Sequence, residues 1–445
     1  MDVLYVVIGV PSSWVKIKSE VKNMIDITLL RKNPEYFRIG ALKKGVNIDV
    51  DEILKLDKEL RDLQYEVDQL RARRKKASQE IASLKREGEE NDKSQALEIK
   101  QQLSILEPRV AELQERLKQL LLSIPLPPAE DVPQGKDERD NVPVKTWGDI
   151  PHFDFPPKDY LTLMEELDLL DLKRGAKIGG FRQYVLKNEA VLLEQAILRW
   201  SIDFLLKKDF VLLRPTVLVN EMAMIGSGMF PKGKEETYQV DDNLFLTGTT
   251  EVPLMAYHAG EVLKEKDLPK KYVGYSSAFR REAGSYGKDT KGIFRVHEFI
   301  QTEQVILCKN DLQESVRWHE WLLSNSEEML QALKLPYRVV NVCSGELTDG
   351  QAKRYDIEVW VPSQQKYRET HSDSYLLDFQ ARRLNIRYRT AEGKLKFVHS
   401  LNNTGIATPR ILIPLIEIYQ QADGSIAIPE VLRPYLGFER IPKDR

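Results

Sequence analysis

Chemistry-bearing residues gather between Phe279 and Gln304, F-R-R-E-A-G-S-Y-G-K-D-T-K-G-I-F-R-V-H-E-F-I-Q-T-E-Q. Two apolar, β-prone halves flank a connection rich in Gly, Ser, Lys and Asp. That is the pattern of two antiparallel strands joined by a long loop. Arg280 and Glu282 are two residues apart, so on a strand both point to one face. Arg295, His297 and Phe299 share a face of the return strand, and Glu303 extends it. Two arginines, two carboxylates and an aromatic ring converging on one sheet face suit a polyphosphate, an amine and a flat base. The other reading is a polar hairpin with exposed ion pairs, because charged strand faces are often only solvated.

Two further stretches carry polar groups at tight spacing. In T-G-T-T-E-V-P-L, Thr249, Thr250 and Glu251 bring two hydroxyls and a carboxylate into one turn. A helix capped by Thr250 is the alternative. In N-N-T-G-I-A-T-P-R, running from Asn402 to Arg410, a glycine turn precedes an arginine at the head of the apolar run I-L-I-P-L-I-E-I-Y. Gly405 permits close backbone approach. Arg410 near a helix N-terminus favours anions. A core helix with one capped end is the alternative.

The elements that must position these groups begin with a long heptad. Ile53, Leu56, Leu60, Leu63, Val67, Leu70, Arg74, Ala77, Ile81 and Leu84 alternate spacings of three and four. Gly88, Glu89, Glu90 and Asn91 break the run. A second follows through Ala96, Ile99, Leu103, Leu106, Val110, Leu113, Leu117, Leu120 and Ile124. The period predicts a left-handed antiparallel coiled-coil hairpin projecting from a globular body. Each helix is roughly 50 Å long at about 1.5 Å per residue. Pro108 kinks the second helix or marks a helix start. Arg71, Arg73, Arg74, Lys75 and Lys76 crowd one segment, with Lys85 and Arg86 nearer the tip. Such a stripe can follow a phosphate backbone. A solvated face on a structural or dimerising rod is the alternative.

Residues 125–150, with I-P-L-P-P, D-V-P and N-V-P, read as a stiff linker without regular structure. Beyond it, Tyr160–Leu172 and Glu189–Lys208 read as amphipathic helices, and Phe210–Leu213 as a strand running into Arg214-Pro215. Asn243–Leu246 reads as a strand, Asp311–Leu333 as a long helix and Tyr337–Val342 as a strand. Asp356–Trp360 reads as a half-buried strand and Tyr367–Thr370 as another.

The whole chain has 445 residues, enough for two or three domains, and 42% apolar content, enough for a core. Net charge is −2 with 30% charged residues. This excludes a global nucleic-acid signature, so any basic surface is local. Two distant cysteines, Cys308 and Cys343, argue against a thiolate zinc site or a disulfide framework and fit a reducing cytosol. The apolar run Val3–Val10 is too short to span a bilayer, and no Lys or Arg precedes it. Residues 1–23 are an extension of unassigned role, and its lack of arginine argues against organelle targeting.

F-R-x-E-A-G, then G-x-x-R-V-H-x-F and a later Glu, resembles the second signature motif of class II aminoacyl-tRNA synthetases, in its seryl-tRNA synthetase version. The resemblance runs from Met24 to the C-terminus. It implies an α+β fold: a class II mixed antiparallel sheet flanked by helices, with an N-terminal antiparallel two-helix arm. The domains would be 24–124 for tRNA binding, the 125–150 linker and a 151–445 catalytic body. Helix, strand and Pro215 resemble the first motif, which implies a homodimer. The arm would clasp the tRNA(Ser) variable arm through Arg71, Arg73, Arg74, Lys75 and Lys76, and tRNA(Sec) is a further substrate to consider. A cytoplasmic enzyme with no membrane partner is implied.

The resemblance also implies site residues. Arg280, Glu282 and Arg410 would be catalytic. Arg280, Arg281, Glu282, Arg295, Val296, Phe299, Glu369, Thr370, His371, Ser372 and Arg410 would bind ATP, with Phe299 and Arg410 on the two faces of adenine. Glu369 and Ser372 would hold Mg2+, for which hard oxygen ligands are apt. Serine would meet Thr249, Thr250, Glu251, Arg280, Glu303, Asn402 and Thr404. Rejecting alanine or glycine needs buried polar partners that stay unpaired when the hydroxyl is missing. The segment E-T-H-S-D-S-Y departs from the family's E-x-S-S-C-S-N at His371, Asp373 and Tyr375, and Asn403 fills a glycine slot. Asp373 would add a metal ligand or repel phosphate. A non-catalytic, synthetase-like nucleic-acid-binding or regulatory dimer is the rival reading.

Overall fold

The computed structural model describes residues 24–87, 94–284, 287 and 289–442, side chains at 80–87 and 95 excepted. The extension before Met24, the break at 88–91 and the side chains of Ile81, Leu84, Lys85 and Arg86 lie outside that description. The chain forms two compact units, one built on 46–125 and one on 126–445.

The first unit is helical. Asp26 caps Ile27–Lys32, and Pro34–Lys43 follows. The Asp49 carboxylate accepts from Glu52 N at 2.8 Å and starts helix α1, Val50–Glu87. Helix α2 is Ser94–Leu122. Leu60, Leu63, Val67 and Leu70 pack against Ile99, Leu103, Leu106 and Val110. Ion pairs Arg71–Glu107, Arg109–Glu59 and Arg116–Glu52 climb one helix while descending the other, so the pair is antiparallel. Three details differ from the heptad reading. Arg74, assigned to the seam, is exposed, because its guanidinium stays in water. The seam passes from Leu117 to fully buried Leu121, not Leu120. Pro108 lies inside α2 and so does not mark a helix start.

The second unit centres on an eight-stranded sheet. Its strands in chain order are β1 Val142–Trp147, β2 Val211–Leu213, β3 Lys270–Phe279, β4 Glu298–Cys308, β5 Tyr337–Asn341, β6 Lys353–Val361, β7 Lys366–Leu377 and β8 His399–Thr408. Their order across the sheet is β1-β5-β6-β7-β8-β4-β3-β2, antiparallel except for β2 with β3. Helices α3 (Glu189–Leu206) and α4 (Leu312–Ala332) pack on it, closing a core that includes Leu193, Ile197, Leu330, Tyr337 and Val359. This is the mixed antiparallel sheet with flanking helices that the resemblance implies.

The Pro-rich segment is more than a linker. It supplies β1, and Pro143 is tolerated there because it sits at a register break on an edge strand. The Tyr160–Leu172 helix is split into Tyr160–Glu166 and Leu172–Gly179, with Asp168 left-handed between them (φ 53°). β6 is buried along most of its length rather than half-buried, as it is covered on both faces.

Candidate active site

The β3–β4 hairpin forms, yet its arginines and first carboxylate are not strand residues. Arg280 and Glu282 follow the end of β3, and Glu282 is left-handed (φ 55°). Arg295 and His297 precede β4. Turning of the chain, not strand alternation, brings them together. Arg280 N donates to His297 O at 2.9 Å, and Arg295 Nη1 donates to Glu282 Oε2 at 2.9 Å. Arg280 Nε donates to Gly248 O at 3.0 Å, and its guanidinium lies 5.1 Å from the Phe299 ring centre.

Arg280, Glu282, Arg295 and Phe299 line one cavity with Val296, Glu369, Thr370, Ser372, Thr404 and Arg410, whereas His297 lies outside it against Tyr238. On a regular strand Glu369 and Ser372, three apart, would face opposite ways. The register of β7 against β6 breaks between the pairs His371–Ile357 and Glu369–Glu358, leaving Thr370 as the extra residue of a bulge. Glu369 and Ser372 thereby reach the same cavity. Desolvation pushes the Glu369 carboxyl up, but Arg410, Arg354, Arg280 and Arg295 outweigh it and hold the carboxyl below its usual range. An ionised carboxylate beside a hydroxyl is a donor set that fits Mg2+. Behind Ser372, the buried Asp356 takes a hydrogen bond from Arg354 Nη2 at 2.9 Å and keeps Oδ1 unpartnered. Arg410 lies 3.7 Å from Glu369 Oε1 and 4.5 Å from the Phe294 ring centre. Phe294, not foreseen, is also covered by Arg368 at 3.7 Å.

Next to this cavity sits a cluster of two glutamates and three amides. Asn402 Nδ2 bridges Glu251 Oε2 at 3.2 Å and Glu303 Oε1 at 3.1 Å. Gln380 Nε2 donates to Glu251 Oε1 at 2.7 Å, and Gln301 Nε2 to Glu303 Oε2 at 2.9 Å. Burial pushes Glu251 up to about 6. Burial, and then the nearby Glu251, push Glu303 well above the usual carboxylate range. A pair of this kind calls for a cation to neutralise it. Thr249 Oγ1 accepts from Glu251 N and from Gln301 Nε2, while the Thr250 hydroxyl is taken up by Ser276 at 2.8 Å. Gly405 stands where β8 slips register against β4, and a Cβ there would lie 2.6 Å from Thr302 Oγ1.

Gln301 and Gln380 were missed by sequence reading. Gln301 had a signal: Phe299, Gln301 and Glu303 alternate along β4 and share a face. Gln380 had none short of the tertiary fold.

Two expected nucleotide contacts lie elsewhere. Arg281 is exposed and lines a different cavity with Lys232, Lys234 and Tyr238. His371 is buried; its Nδ1 meets Thr370 Oγ1 at 2.8 Å, and burial pushes it down to about 4. Nor does Asp373 reach the cavity, which corrects the expectation that it meets metal or phosphate. Beyond the bulge, His371, Asp373 and Tyr375 alternate onto the face opposite Ser372. Asp373 is fully buried and lies 3.3 Å from His319 Nε2; Tyr375 meets the His319 ring edge-on at 5.0 Å. Asn403 is the cross-strand partner of Asp373 and donates to Leu322 O at 2.7 Å. Asp373, Tyr375 and Asn403 thus gather behind the sheet, under α4.

Comparison with known proteins agrees with this geometry. Residues 24–128 match a profile described as the seryl-tRNA synthetase N-terminal domain, and residues 235–419 one described as the tRNA synthetase class II core domain (G, H, P, S and T). The chain is 46% identical to the serine-tRNA ligase of Deinococcus radiodurans, over 93% of this chain and 98% of that protein. A crystal structure of seryl-tRNA synthetase from Pyrococcus horikoshii complexed with ATP superposes with a TM-score of 0.85 at 41% identity, covering 95% of this chain and 100% of the other. The cytoplasmic serine-tRNA ligase of Naegleria fowleri in complex with AMP gives 0.82 at 30% identity, covering 96% and 99%. With most of its length matched at these identities, this chain belongs to the seryl-tRNA synthetase family of class II aminoacyl-tRNA synthetases.

Proposed function

We infer that the chain is a serine-tRNA ligase, which activates serine with ATP and joins it to the 3′ end of tRNA(Ser). The observation that carries this reading is the adjacency of an arginine-lined cavity and the Glu251–Glu303 pair, joined through Gln301. One suits a nucleoside triphosphate, the other an ammonium group.

In the first step a serine carboxylate oxygen bonds to the α-phosphorus of ATP, the α–β bridge breaks and pyrophosphate leaves. Arg280 neutralises the α-phosphate as charge builds. Glu282 accepts from the adenine amine, Phe299 supplies a stacking face, and Arg410 meets the distal phosphate while covering the other face. Glu251 and Glu303 hold the ammonium, with Thr249, Asn402 and Thr404 around the remaining polar atoms. In the second step the terminal ribose hydroxyl of tRNA attacks the seryl carbonyl carbon; its proton is lost and AMP leaves. Mg2+, when bound, orients and neutralises the phosphates, and Glu369 and Ser372 are the residues that would hold it.

We assign tRNA binding to residues 24–124, with Arg71, Arg73, Arg74, Lys75 and Lys76 against the variable arm, and catalysis to the body, working as a homodimer in the cytoplasm. All five basic side chains are exposed, which supports that assignment, although Arg71 already pairs with Glu107 at 2.8 Å. No described helix is long and apolar enough to cross a membrane. The test is ATP–pyrophosphate exchange across the twenty amino acids with Mg2+. Exchange with serine alone is expected. Folded, dimeric protein that exchanges with none would favour the non-catalytic rival.

A further inference from the structure

Gln301 touches both halves of the site. It is 4% exposed, lines the arginine-rich cavity and reaches into the glutamate cluster. Its Nε2 donates to Glu303 Oε2 at 2.9 Å and to Thr249 Oγ1 at 3.1 Å. Thr249 Oγ1 also accepts from Glu251 N at 3.2 Å. A hydroxyl has two acceptor lone pairs and one proton. With both lone pairs engaged, Thr249 has only its proton left to offer. It is thereby restricted to acting as a donor, and its partner must be an acceptor oxygen. Glu303 accepts from Gln301 on one oxygen and from Asn402 on the other, so the carboxylate plane is fixed while its remaining lone pairs stay open to an ammonium.

We propose that Gln301 is a positioning residue for amino-acid specificity: it polarises the Thr249 hydroxyl into a one-way donor and locks Glu303, so that the site reads an ammonium and an acceptor oxygen together. This rests on the reading that the cluster seats serine. Alanine satisfies the ammonium locus and leaves one donor less well matched.

The test compares the wild type with Gln301→Leu, which keeps the volume and deletes the donors, and Gln301→Asn, whose shorter amide cannot span both partners. Pyrophosphate exchange is measured with serine and with alanine, with melting temperature as the check on folding. The expected result for Gln301→Leu is a serine KM raised roughly tenfold to a hundredfold and a lower serine-to-alanine preference. The KM for ATP should rise less than that for serine, since the cavity's arginines are untouched. Gln301→Asn should fall between the two proteins. Unchanged serine KM and unchanged preference in either folded variant overturn the proposal. A wild type without serine-dependent exchange overturns the parent reading instead.

Discussion

Arg280 holds its place through three contacts: its backbone N–H on His297, its Nε on Gly248 and its guanidinium over Phe299. Its terminal nitrogens are thereby aimed into the cavity. Removing such a preorganised charge costs about 10²–10³-fold in kcat. Arg280→Ala should therefore lose serine-dependent exchange to that extent while leaving the melting temperature nearly unchanged, and full exchange by the variant would remove Arg280 from the first step. The glutamate pair makes a second prediction. Glu251 is held at about 6, above its ordinary 4.5, so between those values the folded protein binds more protons than the unfolded one. The stability this group contributes is therefore present below 4.5 and lost as pH rises through about 6. Serine's ammonium needs the ionised form. kcat/KM for serine, which reports the free enzyme, should climb with pH through about 6, and further where Glu303, held higher still by burial and by Glu251, gives up its proton. A flat profile from about pH 5 to about pH 8 would remove the ammonium role from Glu251.

Residue identities were legible in the sequence to a greater degree than their surroundings. Arg280, Glu282, Arg295, Phe299, Glu369, Ser372, Thr404 and Arg410 all line one cavity. The first three are nevertheless not strand residues, because β3 stops at Phe279 and β4 starts at Glu298. Strand ends depend on ladder partners distant in sequence, which local propensity does not carry. Phe294 and Gln380 escaped notice for the same reason: nothing near them in the chain announces what they pack against.

At the scale of elements, the coiled coil was the plainest signal, since its periodicity is local and repeats many times. One misplaced residue, Arg74, is instructive. A charged side chain at a seam position leaves the seam, and it joins Arg71 and Lys75 in lining one groove on α1. If that face meets tRNA, reversing Arg73, Arg74 and Lys75 to Glu should lower kcat/KM for tRNA charging at least about tenfold and flatten its salt dependence. Pyrophosphate exchange needs no tRNA and should stay within about twofold. Equal losses in both assays would point to misfolding. Proline was the misleading signal. Its abundance in 125–150 read as a linker, yet edge position and a bulge let Pro143 take part in β1.

For the whole molecule, β2 is the outer strand of the sheet, paired on one side to β3, with Val211 54% and Leu212 42% exposed. An apolar open edge of this kind invites a partner. Light scattering should return a mass near twice 51.4 kDa. Leu212→Arg should shift it towards the monomer, and an unchanged dimer would place the interface elsewhere.

The bulge at Thr370 has a consequence beyond the cavity. It works as a frame change in the strand, after which His371, Asp373 and Tyr375 address the interior while Ser372 addresses the cavity. Asp373 and Tyr375, with Asn403 beside them, form a set that can be rewritten together under α4 while Ser372 and Thr404 keep their stations. Packing and cavity lining thus sit on opposite sides of a single ribbon of backbone, so a substitution in one set leaves the other in place.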